Sequence, residues 1–348
     1  MKFRFLIIII FFYLSCKKES PNYYIKESAN IKQVENFSYN ELQGINIGPI
    51  NKYGLIDDIH YMNNELLMLD VKSDSIFVKY NLNGKLKKSF NKGGGPNEFI
   101  SPQFLKITSF SNFSNDVQIF NFNKGLYNLN LINQKKTPYF KLDKYDYKTS
   151  IQSIVMIEEG VFAIANLDPL IKFSIYNDVE KKTKKIPHNK NLDLVNSTSY
   201  FETITPRDIG FNKKHKILYT WNGALNSIDI HDSNGTFIKS YSFGVNKNVN
   251  NKKFKKDYLY YYKIKSQGDY VYGIYAGFNT VDNFTESLIP NLKSEIHVFN
   301  IKTDEMTRYK LDRLINSCTM DFENNIAYCI EENSESQPLV KYEIDKKN

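Results

Sequence analysis

Short apolar runs separated by turn residues recur along the chain, and the first complete set lies between Ile56 and Phe99. Four runs make up this set, at 56–61, 65–70, 75–80 and 85–90. Asn, Asp, Gly or Ser residues bound each run, a pattern that is typical of β-hairpins. The set therefore predicts one four-stranded antiparallel sheet.

Five similar sets follow the first. They start at Phe104, Ile151, Pro206, Tyr261 and Ile315, so that successive units begin 47 to 55 residues apart. The second runs of the first and third units, Leu66–Leu69 and Val161–Ala165, are apolar at every position, as expected where one sheet is covered on both faces. A repeat of this length with four strands predicts an all-β, six-bladed β-propeller built of four-stranded antiparallel blades.

The sixth unit contains only three strands before the sequence becomes polar at Asp345. A closed ring needs a fourth strand there, and the segment Gln33–Tyr39 is the available candidate. We expect this N-terminal strand to close the last blade and to cover its exposed edge. Two separate sandwich domains are disfavoured, because no Pro-, Gly- or Ser-rich linker divides the chain.

The N-terminal residues predict an exported protein. Lys2 and Arg4 precede an apolar run, Phe5–Leu14, that has the length of a signal peptide and is too short to span a bilayer. Cys16 follows Ser15 directly, an arrangement that resembles the lipobox of bacterial lipoproteins, although Tyr13 stands where leucine is usual. We therefore expect a signal peptide at 1–15, lipidation of Cys16, a polar tether at 16–30 and the propeller at 31–348. The alternative is an uncleaved anchor with an incidental cysteine.

Charge argues against nucleic acid as a partner. Of the 46 basic residues, Lys2 and Arg4 lie in the segment expected to be removed, which leaves 44 basic against 38 acidic residues. The lysine clusters at 181–185, 252–256 and 346–347 have no regular spacing and no accompanying binding motif. They are typical of solvated loops and tails.

Two sets of motifs carry a family resemblance. Gly93–Phe99, followed by Ser101 and Pro102, resembles the NHL-type turn, with Asn97 where glycine is common. Further motifs lie at 269–277, 296–300, 309–312, 325–328 and 337–342. With that turn, they resemble the six-bladed, TolB-like propeller lipoproteins of Gram-negative cell envelopes over residues 30 to 345. The resemblance implies an envelope propeller, anchored to the membrane by its lipid, and specifies no chemistry.

A propeller places ligands at the mouth of its axial channel, where the innermost strands end. The polar residues expected there are Asp57, Asp58, Gln103, Gln152, Ser153, Arg207, Asp208, Lys263 and Asn316. Their carboxylate and amide oxygens are ligands that calcium accepts. The same groups can instead cap strand ends or bind water, and no spacing fixes a coordination sphere. The sequence therefore calls for no cofactor, with calcium kept as an alternative.

Other candidate groups have a structural interpretation beside the functional one. Glu98 can face the channel as a general acid or base, or it can stabilise its own glycine turn. The five histidines show no zinc-ligand pattern, and no Gly-x-Ser-x-Gly elbow occurs. Tyr258 and Tyr260 can form an exposed stacking platform for a sugar, or they can pack inside blade five.

Two cysteines are expected to face each other. Cys318 and Cys329 are symmetric about the turn near Glu323 and Asn324, so a simple hairpin places them directly opposite on neighbouring strands. A disulfide is compatible with export and with this register. Two buried thiols are the alternative.

The sequence favours a monomeric, lipid-anchored propeller of the cell envelope, on the outer membrane, that binds a partner protein or a glycan without catalysis. The alternative is a propeller enzyme, a calcium-dependent lactonase-like hydrolase or a polysaccharide lyase, that works from the channel carboxylates. The enzyme needs several carboxylates around one metal-sized point, whereas the binding protein needs an open polar or aromatic face.

Overall fold

The computed structural model describes residues 31–34, 39–48, 55–82, 86–100, 105–110, 116–122, 124–141, 151–168, 171–187, 208–221, 223, 226–243, 249–250, 253–254, 258–279, 292–332 and 337–344. All secondary-structure elements within these ranges are β-strands. The prediction of an all-β chain is therefore confirmed.

None of the described residues forms a helix long and apolar enough to cross a membrane.

Three short strands precede the first blade: β1 (Ile31–Val34), β2 (Tyr39–Leu42) and β3 (Ile45–Gly48). Blade one contains β4 (Ile56–Met62), β5 (Glu65–Asp70), β6 (Ser75–Asn81) and β7 (Leu86–Asn91). Blade two contains β8 (Leu105–Phe110), β9 (Asp116–Asn121), β10 (Gly125–Asn130) and β11 (Lys135–Lys141). Blade three contains β12 (Ile151–Glu158), β13 (Val161–Asn166), β14 (Ile171–Asn177) and β15 (Lys182–Pro187).

Blade four contains β16 (Asp208–Asn212), β17 (Ile217–Trp221), β18 (Ser227–Asp232) and β19 (Phe237–Phe243). A short hairpin, β20 (Val249–Asn250) and β21 (Lys253–Phe254), follows it. Blade five contains β22 (Tyr258–Gln267), β23 (Tyr270–Asn279), β24 (Glu295–Asn300) and β25 (Met306–Leu311). Blade six contains β26 (Ile315–Asp321), β27 (Ile326–Glu331) and β28 (Leu339–Glu343). The six blades are those that the repeat predicted.

The N-terminal segment closes the last blade, as predicted, but with other residues. β3 pairs antiparallel with β28 and becomes the fourth strand of blade six. The choice of Gln33–Tyr39 as the closing strand is wrong. Gln33 pairs in parallel with Ser242 of β19, and Tyr39 pairs in parallel with Arg308 of β25. β1 and β2 thus add a fifth strand to blades four and five, and the segment covers the outer edges of three consecutive blades.

The core lies between the blades. The described residues form six clusters of buried apolar side chains, and each cluster joins two neighbouring blades. The cluster between blades six and one, for example, packs Tyr328 and Ile330 against Ile59 and Met68. Second strands such as β5 and β13 are apolar on both faces because both faces are covered; in each of them only the first residue is not fully buried. Burial of apolar surface between successive blades therefore stabilises the closed ring.

The hairpin turn between β4 and β5 shows how local sequence sets the register. Asn63 and Asn64 both have positive φ, at 50° and 59°, as a type I′ turn requires. Asparagine tolerates this conformation better than most residues. The turn pairs Met62 with Glu65 and directs the apolar residues of both strands into the clusters on either side.

Substitution of Gly44 tests whether the N-terminal segment packs on blade six and closes the ring. A Cβ atom there would lie 2.4 Å from Val340 Cγ1 and 2.8 Å from the ring of Tyr342, both fully buried in blade six. We expect Gly44→Ala to lower the free energy of unfolding by about 1–3 kcal/mol, because two packed side chains must move. Chemical denaturation measures this loss. Gly94→Ala is the matched control, since nothing lies within 4 Å of its Cβ position. Equal stability of the two variants would contradict the docking of this segment on blade six.

Candidate functional site

The innermost strands of blades one to five surround an axial cavity of about 1030 Å³. Its walls are formed mainly by β4, β8, β12, β16 and β22. A cavity of this size lies at the upper end of the range for small-ligand sites. It lies where the sequence analysis expected a binding site.

Backbone bulges direct polar side chains towards the axis. In blades one, three and six the register shifts at the second residue of the innermost strand, between Ile56 and Asp58 in the first case. The extra residues are Asp57, Gln152 and Asn316. A bulge leaves its extra residue out of the ladder and re-aims its side chain. Asp57 and Gln152 consequently line the cavity, while Asn316 donates to the carbonyl oxygen of Ile56 at 3.0 Å.

A buried ion pair joins three blades beside the cavity. Lys265 Nζ of blade five lies 2.7 Å from Asp58 Oδ1 of blade one, and the two side chains are only 9% and 12% exposed. Ser317 of blade six donates to the same carboxylate at 2.7 Å, and His60 Nε2 lies 2.9 Å from its other oxygen. Lys265 also donates to the carbonyl oxygens of Cys318 and Ile59. This cluster fixes blades five, six and one relative to one another.

The electrostatics of the cluster favour one charge state. Burial alone would raise the pKa of Asp58, but Lys265, and after it His60 and Lys263, hold that pKa well below its usual range. Burial lowers the pKa of His60, and Lys265 lowers it further, against the opposing effect of Asp58. At neutral pH Asp58 is therefore a carboxylate and His60 a neutral imidazole.

Two further ion pairs are half-exposed on the cavity wall. Lys263 Nζ lies 2.8 Å from Asp57 Oδ2, and Lys106 Nζ lies 3.0 Å from Asp208 Oδ2. Burial lowers the pKa of Lys263, but Asp58, Asp57 and Asp208 outweigh burial and raise it. Lys263 therefore remains an ammonium at neutral pH.

The structure brings together some of the predicted site residues. Asp57, Asp58 and Asp208 line the cavity with Gln152, Ser153 and Lys263. Cys16, Gln103 and Arg207 lie outside the described residues, as does the side chain of Tyr258. Tyr260 is 2% exposed and packs in the core between blades four and five, so it forms no surface platform.

Glu98 stabilises the exit turn of blade one and is not among the residues that line the cavity. Its Oε2 atom accepts a hydrogen bond from the backbone N–H of Gly95 at 2.7 Å. Phe99 of the same turn packs against Phe90. Lys136 of blade two donates a hydrogen bond to the carbonyl oxygen of Glu98 at 2.6 Å. The Gly-rich motif thus connects blade one to blade two.

Cys318 and Cys329 are directly opposed in the β26–β27 ladder, the register that their symmetry about the turn predicted. Both are thiols in this structure and both are fully buried. Burial raises the pKa of the Cys329 thiol well above its usual value, as does a hydrogen bond with Cys318. The pair therefore contributes apolar packing between blades five and six.

The cavity carboxylates are arranged in pairs with lysine. Among the described residues, no three His, Cys, Asp or Glu side chains are grouped so that they could hold a metal ion. Asp57, Asp58 and Asp208 each lie beside an ammonium instead. A calcium ion would have to displace a lysine to gain a charged ligand here.

Three residues of the cavity wall, Lys106, Lys265 and His60, were not predicted as site residues from the sequence. A signal for the lysines exists, because both innermost strands alternate between apolar and polar residues, as in Leu105-Lys106-Ile107-Thr108 and Lys263-Ile264-Lys265. Such alternation predicts one face on the core and one on the axis. His60 shows no comparable pattern.

The comparisons with known proteins agree with this architecture. The family described as TolB-like 6-blade propeller-like matches residues 57–323, which is more than half of the chain. The chain belongs to this family. The TolB-like propeller family is associated with cell-envelope proteins.

Solved structures are similar to this TolB-like propeller at low sequence identity. A member of the DUF4221 family from Bacteroides vulgatus is 12% identical, with a TM-score of 0.54, and the alignment covers 91% of this chain and 100% of the other. A luciferin-regenerating enzyme is 10% identical, with a TM-score of 0.49 and coverage of 86% and 95%. A comparison with curated proteins finds no match.

Substitution of Lys265 tests how much the buried cluster contributes to the stability of the TolB-like propeller. We expect Lys265→Met to lower the free energy of unfolding at pH 7 by roughly 3–5 kcal/mol, because the Asp58 carboxylate is left buried without its partner. The folded pKa of Asp58 lies below its unfolded value near 3.9. Its stabilising effect is therefore complete above about pH 4 and is lost as the pH falls through the folded pKa. Denaturation at several pH values should show the cost of the substitution shrinking in acid.

Two controls sharpen this measurement. Lys263→Met removes a half-exposed pair and should cost about 0–1 kcal/mol. Asp58→Asn combined with Lys265→Met should cost less than the sum of the two single changes, because neither buried group then carries an unpaired charge. A Lys265→Met variant as stable as Lys263→Met would show that the cluster does not contribute to stability.

Proposed function

We propose that this chain is a lipid-anchored, non-catalytic binding protein of the cell envelope, and that its axial cavity holds a segment of a partner protein. The observation that carries the proposal is the pair of half-exposed ion pairs on the cavity wall, Lys106 with Asp208 and Lys263 with Asp57. Together they offer hydrogen-bond donors and acceptors to an incoming chain.

These ion pairs can change partners at little cost. Half-exposed pairs contribute only about 0–1 kcal/mol, so a ligand group can replace either member without a large penalty. The buried Asp58–Lys265 pair, in contrast, holds the surrounding blades in place while the ligand binds. The cavity thus combines a rigid frame with an exchangeable polar surface.

Two observations favour a protein over a glycan and binding over catalysis. Tyr260, a candidate for stacking on a sugar ring, is only 2% exposed, so the aromatic groups left to a glycan are those of the cavity wall, such as Trp221 and Phe122. The cavity carboxylates are paired with ammonium groups, and His60 is 7% exposed and bonded to Asp58. Neither arrangement provides an open general base.

The membrane anchor is supported by the sequence of the first 16 residues. An apolar run after Lys2 and Arg4 leads directly to Cys16, and the family is associated with cell-envelope proteins. The polar residues up to 30 would then connect the lipid to β1 on blade four.

Photo-crosslinking in the native cells tests the proposed binding role. A benzophenone amino acid at Thr108, which lines the cavity, should give a discrete adduct with one protein. The same amino acid at Val179, which is 82% exposed on the outside of blade three, is the control. Lys106→Glu should weaken the Thr108 adduct, because it places a second negative charge beside Asp208. The proposal fails if Thr108 gives no adduct, or the same adducts as Val179.

Metabolic labelling with a palmitate analogue tests the anchor. We expect the wild-type chain to carry the label and to sediment with membranes. Cys16→Ser should lose the label and leave the membrane fraction, since Cys318 and Cys329 are buried and offer no alternative site. Labelling that persists in Cys16→Ser would disprove lipidation at this residue.

A further inference from the structure

The cavity is built from two halves of three blades, and each half contains a lysine–aspartate ion pair that spans one blade. Lys106 of blade two reaches Asp208 of blade four, passing blade three between them. Lys263 of blade five reaches Asp57 of blade one in the same way, passing blade six. The polar lining therefore has an approximate two-fold arrangement about the channel axis.

The blade that each pair passes carries the same short motif. Blade three has Ile151-Gln152-Ser153-Ile154, and blade six has Ile315-Asn316-Ser317-Cys318. Both strands bulge at the amide residue, so Ser153 and Ser317 occupy equivalent places in their ladders. The two serines can be compared directly.

In the half made of blades five, six and one, charged groups fill the space around the serine. Lys265 stands two residues after the pairing lysine, and Asp58 stands one residue after the pairing aspartate. Ser317 donates to Asp58 at 2.7 Å and accepts from Lys265 at 3.4 Å. Its hydroxyl group is fully used by the protein.

The half made of blades two, three and four differs at this place. Asp208 accepts a hydrogen bond from the N–H of Ile209, as Asp58 does from Ile59, and Ile209 packs in the core between blades three and four. Ser153 lines the cavity and is 1% exposed, yet its Oγ atom has no hydrogen-bond partner among the described residues. An unsatisfied hydroxyl at such a position calls for a group from outside the chain.

We infer that Ser153 marks a ligand subsite between blades two, three and four, and that it takes an uncharged amide group. The inference rests on the proposed function, because a peptide segment in the cavity brings such groups. Lys106 and Asp208 already balance each other beside the subsite, so a charged ligand group would be desolvated without a counter-charge. An amide both donates and accepts hydrogen bonds, so it can bond to the Ser153 hydroxyl in either direction.

Stability gives the first test, and it needs no ligand. Ser317→Ala should lower the melting temperature by roughly 2–4 °C, because it removes a hydrogen bond to a charged group. Ser153→Ala should leave the melting temperature unchanged or raise it, because it removes a hydroxyl that the chain does not satisfy. Equal losses in the two variants would show that Ser153 is satisfied within the protein and would overturn the inference.

Binding gives the second test, with three probes of similar size: acetamide, acetate and methylammonium. Each is titrated into protein labelled at isoleucine δ1 methyl groups. Ile107 and Ile209 report on the proposed subsite and Ile59 on the other half. Acetamide should shift the methyl NMR signals of Ile107 and Ile209 and leave the signal of Ile59 unchanged. Ser153→Ala should weaken acetamide binding about fivefold. Ser317→Ala, the matched control, should not.

Each other outcome contradicts the inference. Tighter binding of acetate or methylammonium would show a charged subsite, and binding of none of the three would show that water alone satisfies Ser153. Because these measurements use no partner protein, they can fail while the Thr108 adduct forms, and the adduct can be absent while acetamide binds. Failure of the subsite and failure of the proposed function are thus distinguished.

Discussion

Apolar surface on both faces of each blade is the constraint on which the structure depends. The second strand of blade one is buried on both sides, so both faces of this sheet must pack against another sheet. Each neighbouring sheet has the same requirement. Only a closed ring satisfies every blade, and the six clusters between blades are the result. The ring brings the innermost strands together around an axis that their side chains fill only in part, so polar residues can be placed there.

The axial residues divide into two kinds of electrostatic pair. Asp58 and Lys265 are removed from water, and their attraction must offset a large desolvation penalty, which it does with the help of Ser317, His60 and two backbone carbonyls. Lys106 and Asp208 retain contact with water and hold each other weakly. Both pairs consist of a lysine and an aspartate, so the difference between them follows from burial alone. The buried pair is rigid, and the half-exposed pair can exchange partners.

Local pattern was sufficient to find the blades. Turn residues such as Asn63 and Asn64, and the symmetry of Cys318 and Cys329 about their hairpin, define registers between neighbouring strands, where sequence distance is short. The closing strand was harder, because β3 is only four residues long and its partner lies at the other end of the chain. The cavity was found in part. Asp57 was expected from its place at the start of a strand, but its partner Lys263 lies 206 residues away, and only the ring brings them together.

The pairing of β3 with β28 also has a consequence for how the domain reaches its native state. These strands lie near opposite ends of the polypeptide, so the final seam can form only after the last blade has been synthesised. Contacts of such high sequence separation slow folding, although the entropic cost of closing a longer loop grows only gradually. Blades one to three can assemble early from local hairpins, while β3 waits for a partner that is made last. Until then the nascent ring remains open, with β3 unpaired and available to chaperones or proteases.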